Sequence, residues 1–154
     1  MNTRENVILL AEKKLESSEI LFNSDCSDDA FYLAGYALEL FLKARICKNL
    51  NIPNFYDFKN SKNWSLTDSI EKRINEDNLY KPFKVHNYLQ LFILSGLYLE
   101  FKSELRTELA LKTDWQTVRD WDENSRYKDG KNKEEVKSFI DSIKNIVSWL
   151  RKYL

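Results

Sequence analysis

The stretch from Phe31 to Arg45 constrains the fold more than any other part of the chain, because it has the pattern of a helix with two unlike faces. Apolar residues recur at steps of three and four, which places their side chains on one side of an α-helix. This wide apolar arc comprises Leu33, Ala34, Ala37, Leu38, Leu40, Phe41, Ala44 and Cys47. A second face carries Tyr32, Tyr36, Glu39 and Lys43. The pattern predicts a helix enclosed by several others, with its polar face against a partner helix or a cleft.

Other helical patterns cover residues 3–22, 65–76, 82–113 and 132–153. With only three glycines and two prolines in 154 residues, a β protein built on tight turns is disfavoured. The length suits one hydrophobic core. We therefore expect an all-α, single-domain up-and-down bundle of four to five main helices spanning residues 1–154.

Local signals predict where several helices begin. Asn2 with Glu5 resembles a capping box for the first helix, and Ser27 is the expected N-cap of the second. Asn132 is expected to open the last helix, after an irregular, aromatic and charged segment at 114–130.

Charge and cysteine content narrow the function classes. The formal net charge is zero, so only a local patch would attract nucleic acid or a membrane surface. Cys26, Cys47 and a single histidine do not form a metal-ligand pattern, and we predict no metal and no cofactor. Without a signal segment or an apolar run of about 20 residues, the sequence favours a cytoplasmic protein with no membrane association.

His86 is the only histidine, and histidine is the side chain best suited to proton transfer near neutral pH. It lies near the start of a predicted helix, where it would serve as a general base. The alternative is a structural histidine bonded to a backbone group or a carboxylate.

Glu39 and Lys43 have the favourable order for a helical ion pair, worth ~0.2–0.5 kcal/mol if it is exposed. Either the pair is solvated, or Glu39 is partly buried and bonded to Lys43, Arg126 or a tyrosine. In the segment that contains Arg126, Trp115 and Trp121 either stack on bases or cover the bundle as an aromatic plug.

Three segments together resemble the HEPN (higher eukaryotes and prokaryotes nucleotide-binding) family: Tyr32 to Ala44, Val85 to Leu89, and Trp121 to Tyr127. Their order and spacing agree over about residues 30–150. The resemblance implies a four- to five-helix bundle, commonly a homodimer with a cleft at its interface. Many members are metal-independent ribonucleases, toxins of toxin–antitoxin pairs or parts of defence systems.

The family's active motif is an arginine followed four to six residues later by a histidine. The histidine removes the ribose 2′-OH proton, and the arginine holds the phosphate. Here Lys81 occupies the arginine position and Pro82 follows it, and lysine does not grip a phosphate bidentately. The motif is therefore degenerate. The resemblance makes His86 and Lys81 the candidate catalytic residues, and the candidate substrate-binding residues are Glu39, Lys43, Asn87, Arg126 and Tyr127.

Two functions remain open at this point. The first is a HEPN-like module that binds RNA or nucleotides and acts as a metal-independent endoribonuclease. The second is a catalytically inactive HEPN-like interaction module, which dimerises or pairs with a nucleotidyltransferase-like protein. A basic, concave surface around His86 favours the first, and a cleft filled by Trp121 and Tyr127 favours the second.

Overall fold

The computed structural model describes residues 3–51 and 84–154. These residues form six α-helices and two short 3-10 helices, with no strand among them. The α-helices are α1 (Arg4–Asn23), α2 (Ser27–Asn49), α3 (Tyr88–Leu94), α4 (Tyr98–Thr107), α5 (Leu109–Val118) and α6 (Lys133–Leu150). The 3-10 helices are η1 (Glu123–Tyr127) and η2 (Arg151–Tyr153). The predicted all-α helical bundle is confirmed.

The three long helices form the centre of the bundle. Side-chain contacts in or next to these helices show that α1 is antiparallel to α6, whereas α2 and α6 run in the same direction. The contacts that define these directions are Glu12 with Arg151 and Glu19 with Lys144 between α1 and α6, and Asp28 with Lys131 and Arg45 with Tyr153 between α2 and α6. The apolar arc of α2 is therefore enclosed by α1 on one side and α6 on the other.

The core contains most of the apolar residues that the periodicity selects, whereas Leu33 is only half-buried. On α2 the fully buried members include Ala34, Ala37, Leu38, Leu40, Phe41 and Ala44. On α6 they include Val136, Ile143, Ile146 and Leu150. Such packing is worth roughly 25 cal/mol for each Å² of apolar surface removed from water.

Two of the predicted helix starts are wrong by one residue. The first helix begins after Thr3, whose hydroxyl accepts a hydrogen bond from the Asn6 N–H at 3.4 Å, so Thr3 and not Asn2 is its N-cap. At α2 the N-cap position falls on Cys26, which makes no side-chain cap bond, and Ser27 is the first helical residue. The prediction at α6 is confirmed, because the side-chain oxygen of Asn132 accepts from two backbone N–H groups.

The prediction of one helix over 82–113 is also wrong. Within the described part of this range the helix is interrupted at Gly96, whose φ is +75°, and again at Glu108, whose backbone is extended. The pieces are α3, α4 and the beginning of α5, which continues to Val118 into the segment expected to be irregular. The short helix predicted at 65–76 and the helix start at Pro82 lie outside the described residues.

Candidate functional site

The polar face of α2 is buried rather than solvated. Glu39 is 0% exposed and Lys43 5%, and the Lys43 Nζ lies 2.6 Å from the Glu39 Oε1. Burying a carboxylate without a partner is strongly unfavourable, so a pair in this position has to be matched closely. The alternative of a solvated ion pair is therefore wrong.

His86 lies across this face and joins two carboxylates. Its Nδ1 is 2.9 Å from the Glu39 Oε2 and 3.0 Å from the Oε1, and its Nε2 is 2.7 Å from the Glu123 Oε2. The His86 side chain is 38% exposed, so one edge of the ring meets solvent while the other faces the interior. The structure thus unites two of the candidate residues, Glu39 and His86, which are 47 positions apart in the chain.

The residues that follow His86 hold it in this position. The Asn87 side chain caps α3 by accepting a hydrogen bond from the Gln90 N–H at 3.1 Å. Tyr88 is 1% exposed, and its hydroxyl donates to the Gly35 carbonyl oxygen at 2.7 Å. Burial, and next the nearby Glu39 carboxylate, raise the pKa of Tyr88 well above its usual value, so the phenol keeps the proton that it donates.

The second carboxylate is positioned by an aromatic stack. Trp121, two residues before Glu123, is 6% exposed and stacks between Tyr88 and Tyr32, with ring centroids 5.3 and 6.2 Å apart. Its indole lies directly against Gly35, where a Cβ would come within 2.2 Å of the ring. The chain approaches this closely because glycine has no side chain. Trp121 is therefore a plug in the described structure.

Arg126 and Tyr127 lie at the exposed end of η1. The Arg126 guanidinium is 4.8 Å from the Tyr127 ring centroid, and Tyr127 is 76% exposed. The pKa of Arg126 is raised above its usual range, chiefly by the interaction with Tyr127 and further by the Tyr32 hydroxyl. Arg126 follows Glu123 by three residues on η1, which is one turn of a 3-10 helix.

No family model, curated protein or solved structure matches this chain. In the part of the chain that the structure describes, no helix combines the length and the apolar character needed to cross a membrane.

A metal is not favoured by the arrangement around His86. The two glutamates contact opposite nitrogens of the ring and so do not converge on one point. Over residues 3–51 and 84–154 there is no group of three His, Cys, Asp or Glu side chains that would hold a metal ion.

The structure separates the candidate residues into groups. Glu39, Lys43 and His86 form one cluster, Arg126 and Tyr127 form a second at the surface, and the Asn87 amide oxygen is used as a helix cap. Lys81 lies outside the described residues.

Glu123 is the residue that sequence reasoning missed. The sequence draws attention to its segment, Trp121 to Tyr127, for the aromatic and cationic side chains there and not for a carboxylate. Its closeness to His86 depends on the tertiary packing of Trp121, for which no local pattern exists.

Proposed function

We propose that this chain is a HEPN-like helical protein that binds RNA or a nucleotide and cleaves RNA without a metal, with His86 as the proton-transfer residue. The observation that carries the proposal is the contact between the His86 Nδ1 and the fully buried Glu39 carboxylate. A carboxylate that accepts from one ring nitrogen selects the tautomer and leaves the other nitrogen facing outward. The outward nitrogen, Nε2, is the one that a substrate reaches once the Glu123 carboxylate, 2.7 Å away, turns aside.

The proposed RNA cleavage uses one imidazole for both proton transfers. The neutral imidazole takes the proton of a ribose 2′-OH at Nε2, and the 2′ oxygen attacks the adjacent phosphorus. The bond from phosphorus to the 5′ oxygen then breaks, and this oxygen takes a proton from the imidazolium, which leaves a 2′,3′-cyclic phosphate. Buried Glu39 stabilises the imidazolium during the reaction, and Lys43 balances the charge of Glu39.

The second cluster supplies recognition. Arg126 is an exposed guanidinium, the group best suited to hold a phosphate, and Tyr127 presents a ring on which a base stacks. Arg126 lies one turn of η1 after Glu123, the residue that contacts His86, so a short strand of RNA would reach both clusters. In this proposal the protein is a homodimer of a toxin–antitoxin or defence system, as the family resemblance implies, and it acts in the cytoplasm.

The experiment compares wild type with His86→Asn on a mixed single-stranded RNA pool in EDTA. Asparagine places an amide N–H near the Nδ1 position, so it keeps the bond to Glu39 but does not accept a proton. We expect cutting by wild type alone, with equal thermal stability of the two proteins. A folded wild type that leaves the RNA intact, or equal cutting by both proteins, would contradict the proposal.

Arg126→Ala tests recognition, with Arg106→Ala as the matched loss of an exposed arginine on α4. We expect the first to lower cleavage by roughly 10²-fold, the effect of removing one donor to a charged transition state. The second should leave cleavage unchanged. Equal activities of the two variants would remove Arg126 from the site, and Lys81→Ala would then test the residue at the family's arginine position.

One observation favours the alternative of a non-catalytic interaction module. The Nε2 of His86 is occupied by Glu123, and the surroundings of the ring are acidic rather than basic. In that case the chain dimerises or pairs with a nucleotidyltransferase-like partner. Sedimentation of the chain with and without such a partner, beside the cleavage assay, separates the two functions.

A further inference from the structure

Both nitrogens of His86 lie within hydrogen-bond distance of a carboxylate oxygen. The imidazolium has two N–H donors and satisfies both contacts, whereas a neutral ring with its proton on Nδ1 would turn a lone pair toward Glu123. The described arrangement therefore belongs to the protonated ring. In this state Nε2 has no lone pair with which to accept a substrate proton.

The two carboxylates are held very differently. Glu39 is fully buried and also bonded to Lys43, so it is a fixed part of the bundle. Glu123 extends from the first residue of a five-residue 3-10 helix, and its side chain is 37% exposed. Among the described residues, the side chain that Glu123 contacts is His86, so rotation of Glu123 into water breaks one ion pair and leaves the backbone unchanged.

We propose that the Glu123 carboxylate is an internal occupant of an anion site at the His86 Nε2, and that a phosphate group displaces it. In the part of the chain that the structure describes, the charged groups in contact with His86 are Glu39 from α2 and Glu123 from η1, and Lys43 contacts Glu39, while Tyr88 from α3 remains a neutral phenol. Once Glu123 leaves, the imidazolium has an open donor on its solvent side. Glu123 thus closes the site until a ligand phosphate competes with it.

This inference rests on the proposed function only in taking the ligand to be the phosphate of RNA or a nucleotide. The site itself is tested with inorganic phosphate. Because His86 is the only histidine, its ring resonances are assigned without ambiguity, and a phosphate titration at about pH 6 reports directly on the ring.

In wild type the site is open only while Glu123 is turned away, and the apparent affinity for phosphate is reduced in proportion to that open fraction. We therefore expect Glu123→Gln, which lacks the competing charge, to bind phosphate about tenfold more tightly than wild type. Glu123→Asp should fall between the two, since its carboxylate is one methylene shorter. Glu16→Gln, which removes the same charge from an exposed position on α1, should match wild type.

Equal dissociation constants for wild type and Glu123→Gln, or no shift of the His86 resonances in either, would overturn the proposal. The outcome is separable from that of the cleavage assay. Phosphate binding without RNA cleavage would support the anion site and contradict the proposed ribonuclease activity. RNA cleavage with no effect of Glu123→Gln on phosphate binding would support the ribonuclease activity and contradict the anion site.

Discussion

The two faces of α2 have opposite requirements although they belong to one helix. The face toward α1 and α6 is filled by alanines, leucines and Phe41, where apolar character and approximate size are sufficient. The face toward α3 and η1 buries Glu39 and Lys43, where each polar atom needs a specific partner. The comparison teaches that burial alone does not define a hydrophobic core. One face of α2 stabilises the bundle by apolar packing, and the other binds His86 through the buried carboxylate of Glu39.

The largest effect is expected on the polar face. Glu39→Ala should lower the free energy of unfolding by about 3–5 kcal/mol, because it leaves Lys43 buried without its carboxylate. Urea denaturation measures the loss.

The control for Glu39→Ala is Asp141→Ala, which breaks the exposed Lys137–Asp141 pair of the same four-residue spacing. That pair should be worth at most about 1 kcal/mol. Similar losses in both variants would contradict the distinction between a buried and a solvated pair.

The apolar face should respond to loss of volume. Leu38 is fully buried, and Leu38→Ala should destabilise the protein by about 2–5 kcal/mol through lost burial and a cavity. Leu99→Ala, at a position that is 78% exposed, should change stability by no more than about 0.5 kcal/mol in the same assay. If Leu38→Ala were as mild as Leu99→Ala, the apolar arc would not be the core.

A smaller effect is expected where the two faces meet at Gly35. Alanine is about 1 kcal/mol better than glycine inside a helix, yet Gly35→Ala should destabilise by about 1–3 kcal/mol, because its Cβ would meet the Trp121 indole. The double variant Gly35→Ala/Trp121→Phe, with its smaller ring, should recover part of that loss. A gain in stability from Gly35→Ala alone would show that Trp121 does not pack there.

The test with the smallest effect on the protein compares the reactivity of the two cysteines near opposite ends of α2, and it requires no mutation. Cys26 is exposed, whereas burial raises the pKa of the Cys47 thiol to about 11. In a thiol-reagent assay at about pH 8 we expect one cysteine to react in the native protein and the second only after unfolding. Rapid reaction of both would place Cys47 at the surface.

The fold was largely predictable because its long helices carry strong periodic patterns. The extents of α1, α2 and α6 follow from the spacing of apolar residues, with errors of one residue at the starts of α1 and α2. The sequence did not predict the division of the helix over 82–113: Gly96 is a visible break, but the extended backbone at Glu108 follows from tertiary packing.

The site was predictable in part. Glu39 and His86 each stood out by residue type and position, but their pairing joins distant segments and leaves no local pattern. The partners foreseen for Glu39 were Lys43, Arg126 or a tyrosine. The structure confirms Lys43, adds His86, and places Arg126 beside Tyr32 instead.

The central claim is that the buried Glu39 carboxylate accepts a hydrogen bond from the Nδ1–H of His86, so that Nε2 is the nitrogen available for proton transfer. Nitrogen NMR of the only imidazole in the chain tests it directly, because the shifts of the two ring nitrogens show which of them carries a proton. The account predicts a protonated Nδ1 in wild type, with Glu39 as the acceptor of its hydrogen bond. A ring with a bare Nδ1 and a protonated Nε2 would contradict it.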